Sequence, residues 1–502
     1  MVIGAGAAGT MAAIFASAGG AETLLLERTK DGGRKILISG GGRCNVLPMR
    51  VDESRFVTDS SVNTLRRIVR SWPLVEQRRF FEQDLGIPLE EEPEAAKIFP
   101  ASHKARDVRD GLLALAARNG ARLRVSTRVL DVMPAEERWL VELEEGAPLV
   151  ADAVILACGG LSVPNTGSDG TGLDVARLLG HTIHPTYAAL TPLVGDSPAL
   201  ASLSGVSLTV TLTARAGDRS ATATGGFLFT HHGYSGPSVL DVSHVMVRSR
   251  AEGEAPGRLT VKWTSLDEKQ WESALKPHGA RTVSGALRAE LPDRLATVLA
   301  GIAQVDPSRS LAELRREERL RLIETLVRGV LPCTGDEGYK KAEVTGGGVS
   351  LAEIDPRTME SRRHPGLYLC GELLDAFGPI GGYNFLWAWA TGRAAGNAAV
   401  GWRLVVGGWW LVHATGTGAR TTVRAPDPYR HPQSQSRIAI RNPKTRIAVA
   451  SSTSRPFHRP ARPATWPACL PSSRRRALPS SGGARRSTRR SAAPCASPWS
   501  GR

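Results

Sequence analysis

Over the first 185 residues, short apolar runs alternate with amphipathic stretches. "MVIGAGAAG" (residues 1–9) puts three apolar residues before a glycine turn and an Ala-rich segment, the order of strand, turn and helix. "ETLLLER" (22–28) reads as a second strand. "ADAVILACGG" (151–160) is apolar enough throughout for a strand buried on both faces of a parallel sheet. From 190 to 265 the period changes to two: "SLTVTLTAR" (207–215) and "GRLTVKWT" (257–264) alternate apolar and polar positions as antiparallel strands do. Residues 266–330 turn helical, and "LAELRREERLRLIETLVRGVL" (311–331) has the clearest amphipathic period. After about 342 the strand–helix alternation returns.

These changes of period predict an α/β protein. A Rossmann-like α/β domain is interrupted by an antiparallel β domain with a helical subdomain. The first part of the α/β domain spans 1–188, the insertion 189–341, with helices at about 266–330, and the second part 342–400. Residues 401–502 form a tail with 12 prolines and runs such as "SSRRRALPSSGGARRSTRR" but no sustained apolar period, so it is expected to be disordered.

Charge sharpens that division. The net charge of +16 resembles a nucleic-acid footprint, but 19 of the 64 basic residues lie in the tail beside a single acid, Asp427. The first 400 residues carry 45 basic and 47 acidic groups and are close to neutral. The tail is therefore either a basic arm that could bind nucleic acid or an out-of-frame reading of GC-rich coding DNA. The first strand has only three residues before its turn, as if the true start lay a few codons upstream. The apolar N-terminus lacks a basic leader, and no run approaches the roughly 18 apolar residues of a membrane span, so neither a signal peptide nor a membrane anchor is expected. Six cysteines without a C-x-x-C pair suggest reduced thiols in the cytoplasm, with no metal site and no disulfide framework.

The chemistry begins with Gly4, Gly6 and Gly9 in G-x-G-x-x-G between strand and helix. The first glycine permits the tight turn, the second lets a diphosphate approach, and the third packs helix against strand. The N–H groups around Ala7 and Ala8 open the helix and would face the phosphates. Glu27, followed by Arg28, ends the second strand, where an acid holds ribose hydroxyls. No second fingerprint of this kind occurs. Instead "GLYLCGELLD" (366–375) ends a strand at Gly371 and Glu372, and "GPIGGYNFLWAWATGRAAG" (378–396) opens a helix behind Gly381 and Gly382, with Tyr383 and Asn384 in its first turn. One fingerprint with this second element favours FAD over NAD as the resident cofactor. Trp387 and Trp389 read as core.

"VIGAGAAG", "GRKILISGGGRCN", "KIFPASHKARDV", "VILACGGLSVPNTGSDGTG", "GGFLFTHHGYSGPSVLD", "AEVTGGGVSLAEIDPRTMES" and "GLYLCGELLDAFGPIGGYNFLWAWATGRAAG" occur in this order over residues 1–400. In these stretches the chain resembles the YhiN/BaiN-like family of FAD-dependent oxidoreductases. The resemblance implies that "KILISGGGRCN" (35–45) lies beside the flavin. Lys35, Gly41, Gly42, Arg43, Cys44 and Asn45 would then contact the cofactor, as would Gly159. Cys158 stands where the family usually has threonine. The resemblance also implies transient NAD(P)H as electron donor and an activated C=C bond as acceptor. That acceptor is uridine in ribosomal RNA or a steroid-like small-molecule enone. A non-catalytic flavin-binding redox protein is the alternative. Cys44 is either the proton donor or a buried packing residue. His231 and Tyr234 in "THHGYSGP" (230–237), with His232, belong to the insertion and would face the flavin across a substrate cleft. His103 and Lys104 could meet phosphate or substrate. Arg66, Arg67, Arg70, Arg78 and Arg79 form either a local basic patch or a solvated helix face.

Overall fold

The computed structural model describes residues 1–401 and the strands Trp409–His413 and Arg420–Arg424. Those two strands pair antiparallel. The disorder and nucleic-acid binding expected of the rest of the tail lie outside the described residues.

Five parallel strands form the first layer, in the order Leu367–Leu369, Val154–Leu156, Val2–Ile3, Leu24–Leu26, Arg122–Arg124. The two-residue strand Val2–Ile3 is central and is paired on both sides. Just ahead of it, the Met1 ammonium donates to Ala153 O at 2.8 Å. The helix Ala7–Ala18 provides the first crossover and Ala105–Arg118 the second. A three-stranded antiparallel meander, Val129–Ala135, Arg138–Leu143 and Leu149–Ala151, follows Arg122–Arg124 along the chain. The long helix Tyr383–Ala399 closes the domain against Ala7–Ala18. Glycines set that contact. A Cβ on Gly392 would come within 2.3 Å of Ala8 O, and one on Gly396 within 2.4 Å of Ala12 O.

Strands Ile183–Ala189 and Val344–Val349 pair antiparallel and carry the chain out of this layer and back. Between them a seven-stranded sheet runs in the order Gly329–Leu331, Arg258–Lys262, Ser207–Ala216, Arg219–Phe229, Gly233–Ser235, Leu193–Val194, Gly335–Asp336. The period-two strands at 207 and 257 are neighbours in it, antiparallel as their alternation predicts. The helix Pro237–Ala251 packs on the sheet. Four further helices, Glu268–Ala274, Val283–Leu287, Asp293–Ile302 and Arg316–Arg328, build the helical subdomain. The amphipathic stretch at 311 is not one continuous helix, because a 3-10 turn at Leu311–Glu313 precedes Arg316–Arg328. Two hydrophobic cores result. One is centred on the parallel sheet and the two packed helices, the other on the antiparallel sheet. No described helix is long and apolar enough to cross a membrane.

Candidate functional site

A cleft opens at the carboxyl ends of the parallel strands, where an open α/β sheet binds its ligand. The turn after Val2–Ile3 forms its floor. Gly4 has φ +102°, and a Cβ there would lie 2.6 Å from Ala157 O. A Cβ on Gly9 would lie 1.8 Å from Gly4 O, so only glycine lets the helix start this close to the strand. Gly6 is different, since nothing lies within 4 Å of a Cβ there. That opening faces the cleft, with Gly4, Ala7 and Ala8 around it. No side chain caps the helix behind it. Its first N–H groups therefore stay free for an anion.

Glu27 is buried at the end of the second strand. Its Oε2 accepts from Ala5 N at 2.9 Å and its Oε1 from Thr29 N and Thr29 Oγ1 at 2.8 and 2.7 Å. The carboxylate keeps lone pairs on Oε2 for a ligand hydroxyl. Arg28 lines the same end of the cleft and is ion-paired with Asp169. Burial works against the charge on Asp169, but the bonds from Thr171 and the pair with Arg28 outweigh it and hold the carboxyl below its ordinary value. Thr127, Arg128 and Val129 complete this end.

At the opposite end, Gly381 and Gly382 line the cleft with φ of +112° and +94°. Gly382 begins the Tyr383–Ala399 helix, again without a side-chain cap. A second positive helix end thus faces the cleft. Asn384 fixes the loop before it, accepting from Gly378 N and donating to Gly378 O, both at 2.9 Å. Lys35 Nζ donates to Ser162 Oγ and Glu372 Oε2, each at 2.5 Å. Glu372 Oε1 accepts from Thr345 N at 3.0 Å, Thr345 Oγ1 at 2.9 Å and Ser162 Oγ. The Gly371–Glu372 turn is thereby locked between three segments distant in sequence. Gly159 lines the cleft with φ +74°, and a Cβ there would meet Ser168 Oγ at 2.8 Å.

The triglycine segment winds through left-handed conformations. Gly40, Gly41 and Gly42 have φ of +56°, +68° and +87°, and Cys44 has φ +65°. The winding delivers Asn45 to the cleft with its Oδ1 buried and without a partner. A buried amide oxygen left free in a cleft is a place for a ligand donor. The uncapped helix ends, the opening at Gly6, Glu27 and Asn45 all suit a dinucleotide carrying a polar ring system.

Several expected site residues lie elsewhere. Gly9 packs helix on turn and does not line the cleft. Gly41 and Gly42 face solvent outside it. Arg43 turns away, pairing with Glu92 at 2.5 Å and lying 4.1 Å over the Phe99 ring. Cys44 is fully buried in the α/β core, where burial pushes its thiol up to about 12. It is not among the residues that line the cleft. The Tyr383 hydroxyl donates to Arg50 O at 3.1 Å and accepts from Asp52 N at 3.2 Å, so it braces a loop. Tyr234 is a correction of a different kind. Tyr234 lies on the strand Gly233–Ser235, between Leu193–Val194 and Arg219–Phe229. Its ring is 1% exposed in the second core. His231 is exposed, near Ser204 Oγ at 3.2 Å, and does not reach the cleft. His103 meets Glu90 at 3.2 Å on the surface. Cys158, in contrast, does line the cleft. Sequence reasoning missed Thr127–Val129, Asp169, Phe377, Phe385 and Glu343, all in the cleft wall. A third parallel strand followed by a meander was the available signal for the first of these.

The HI0933-like protein Rossmann domain matches residues 1–398. The ribosomal RNA dihydrouridine synthase of Escherichia coli (strain K12) is 32% identical over 403 residues, covering 78% of this chain and 96% of that protein. The 3-dehydro-bile acid delta(4,6)-reductase of Clostridium scindens is 32% identical over 405 residues, covering 79% and 98%. Among solved structures, 3-ketosteroid delta1-dehydrogenase from Sterolibacterium denitrificans aligns over 80% of this chain and 99% of its own, with 13% identity and a TM-score of 0.44. The chain belongs to the HI0933-like Rossmann-domain family.

Proposed function

We propose that the protein holds FAD in this cleft, takes electrons from NAD(P)H and reduces an activated C=C bond, with uridine in ribosomal RNA as the substrate. One observation carries the reading. Two uncapped helix N-termini, at Gly6 and Gly382, face opposite ends of a single cleft that also presents Glu27 and Asn45. When bound, the cofactor supplies a two-electron carrier that can be reduced by one partner and oxidised by the next. The chain does the rest. N–H groups behind Gly6 neutralise diphosphate charge. Glu27 holds ribose hydroxyls. The helix end at Gly382 favours negative charge on the reduced ring system. Lys35, fixed by Glu372 and Ser162, adds a cation to the same wall.

Two things support RNA over a small enone. One relative is named for dihydrouridine formation in ribosomal RNA. A second surface groove is lined by Arg66, Arg67, Arg70 and Arg357. Arg70 is engaged by Glu53 at 2.7 Å, while Arg66, Arg67 and Arg357 have no ion pair among the described residues. Such a cluster suits backbone phosphates even on a chain body near neutrality. The small-enone reading draws on the bile acid reductase relative and on Phe377, Ile380, Phe385 and Trp387 in the cleft wall. The test reduces the holoprotein anaerobically with NADPH or NADH, then adds large-subunit ribosomal RNA lacking dihydrouridine, or a conjugated steroid enone. Flavin reoxidation and nucleoside mass spectrometry are followed together. Reoxidation matched by dihydrouridine supports the RNA reading, and reoxidation by the enone alone overturns it. Flavin that neither nicotinamide reduces overturns the electron-donor assignment.

A further inference from the structure

Glu343 precedes the strand Val344–Val349, where the chain re-enters the α/β layer from the insertion. Its backbone is fixed on both sides, with its N–H donating to Leu190 O at 3.1 Å and its carbonyl accepting from Ser162 Oγ at 3.4 Å. Glu343 is one of the residues that line the cleft, and it is exposed there. Among the described residues the carboxyl makes no hydrogen bond and no ion pair within bonding distance. Glu372, on the same wall, is saturated by Lys35, Ser162 and Thr345. One carboxylate is thus locked into structure and the other is free.

Three charged groups act on the Glu343 carboxyl from three elements. Lys97 comes from the strand Lys97–Pro100, Asp241 from the helix Pro237–Ala251 and Lys35 from the helix Arg34–Ile38. Burial raises the carboxyl above its ordinary value, Lys97 and Lys35 pull it down, and Asp241 pushes it up. An upward shift is the direction a general acid requires. The Ile380 N–H, in the Gly378–Gly382 loop, donates to Asp241 Oδ1 at 2.8 Å, which places this cluster at the Gly382 end of the cleft.

We propose that Glu343 is the proton donor of the reduction, in the role the sequence offered to Cys44. The inference rests on the reductase reading above. In the step, the substrate C=C π bond breaks. One carbon gains a hydride equivalent, supplied overall by NAD(P)H, and the other gains the proton of the Glu343 carboxyl. NAD(P)H becomes NAD(P)+, the alkene is saturated, and Glu343 is left as a carboxylate beside Lys97 and Lys35 until water returns its proton.

The test uses reduced holoprotein of wild type, Glu343→Gln and Glu343→Asp. Reoxidation by the C=C substrate should slow about 100-fold in Glu343→Gln, the scale of a lost general acid, and partly recover in Glu343→Asp. Reoxidation by ferricyanide, which protonates no carbon, together with FAD content, reports the integrity of the site. The wild-type rate should fall as pH rises through the carboxyl titration, and Glu343→Gln should lose that limb. Infrared difference spectra of the oxidised holoprotein should show a protonated-carboxyl band that Glu343→Gln removes. Wild-type turnover with an unimpaired Glu343→Gln overturns the proposal alone. A wild-type reduced enzyme that no C=C acceptor reoxidises overturns the reductase reading and the proposal with it.

Discussion

Gly6 and Gly9 belong to one motif and make opposite demands, so their alanine variants should separate. Gly6→Ala adds a methyl where nothing lies within 4 Å, so the fold should survive with a melting temperature within about 2 °C of wild type. The methyl enters the space left for diphosphate, and FAD affinity should fall at least about tenfold, or roughly 1.4 kcal/mol. Gly9→Ala instead drives a Cβ to 1.8 Å from Gly4 O and should yield little folded protein. Titration calorimetry and thermal melts check both, and a Gly6→Ala variant that binds FAD normally would contradict the placement of the phosphates. Cys44 marks the limit of reading residues in a line. Its neighbours suggested a flavin-facing thiol, but φ +65° turns its side chain into the core, and a sequence does not display the sign of φ outside glycine. Cys44→Ala should lose about 1 kcal/mol of stability for the buried sulfur while keeping the reduction rate well above the hundredfold drop expected of a lost acid. A hundredfold loss with normal folding would return Cys44 to the mechanism.

Between elements, the site depends on a helix pair packed without side chains. Tyr383–Ala399 lies so close to Ala7–Ala18 that Gly392 and Gly396 leave no room for a Cβ. Both helices begin at the cleft, so their packing sets the distance between its two positive ends. Gly396→Val should cost about 1–3 kcal/mol by overpacking and should weaken FAD binding in parallel, although residue 396 lies outside the cleft. Denaturant midpoints with and without FAD test this, and unchanged FAD affinity would show that the helices do not set the spacing. The period of apolar positions disclosed most elements, because a strand or an amphipathic helix declares itself within a few residues. It could not disclose which elements meet. The Val62–Arg70 helix reads alone as a basic face, and only the fold brings Arg357 beside Arg66 and Arg67. Arg78, expected in the same patch, is instead engaged by Glu82 and Glu91. The double variant Arg66→Ala/Arg67→Ala should therefore weaken ribosomal RNA binding and lower the slope of log K against log[salt] by about 2, one for each phosphate no longer neutralised. An unchanged slope would remove the groove from the RNA reading.

At the scale of the whole molecule, the antiparallel strands were legible because their period differs from that of the layers around them. The seam that joins them to the α/β domain was not, because every contact there links residues far apart in sequence. Asp241 illustrates the seam. It lies on the insertion's helix Pro237–Ala251, accepts from Ile380 N in the cleft loop at 2.8 Å and meets Arg55 at 3.3 Å, with its side chain 14% exposed. Burial is the larger influence and raises the carboxyl from 3.8 to about 6, against the bond from Ile380 and the charge of Arg55. The unfolded chain releases this proton near 3.8 and the folded protein only near 6. Between those values the folded state binds more protons, so stability falls as pH rises through the window, by up to about 3 kcal/mol. His244, one turn further on, works in the other direction. Burial pushes it from 6.5 down to about 4, so its contribution to stability grows as pH rises between those values. The net pH dependence of wild type therefore conceals each group, and a difference measurement isolates Asp241. Asp241→Asn keeps an oxygen to accept from Ile380 N but has no proton to lose. Its stability relative to wild type should rise between pH 4 and pH 7, measured by urea unfolding of the two proteins side by side. A difference that stays flat across that range would mean that the seam admits water to Asp241 and does not bury its charge.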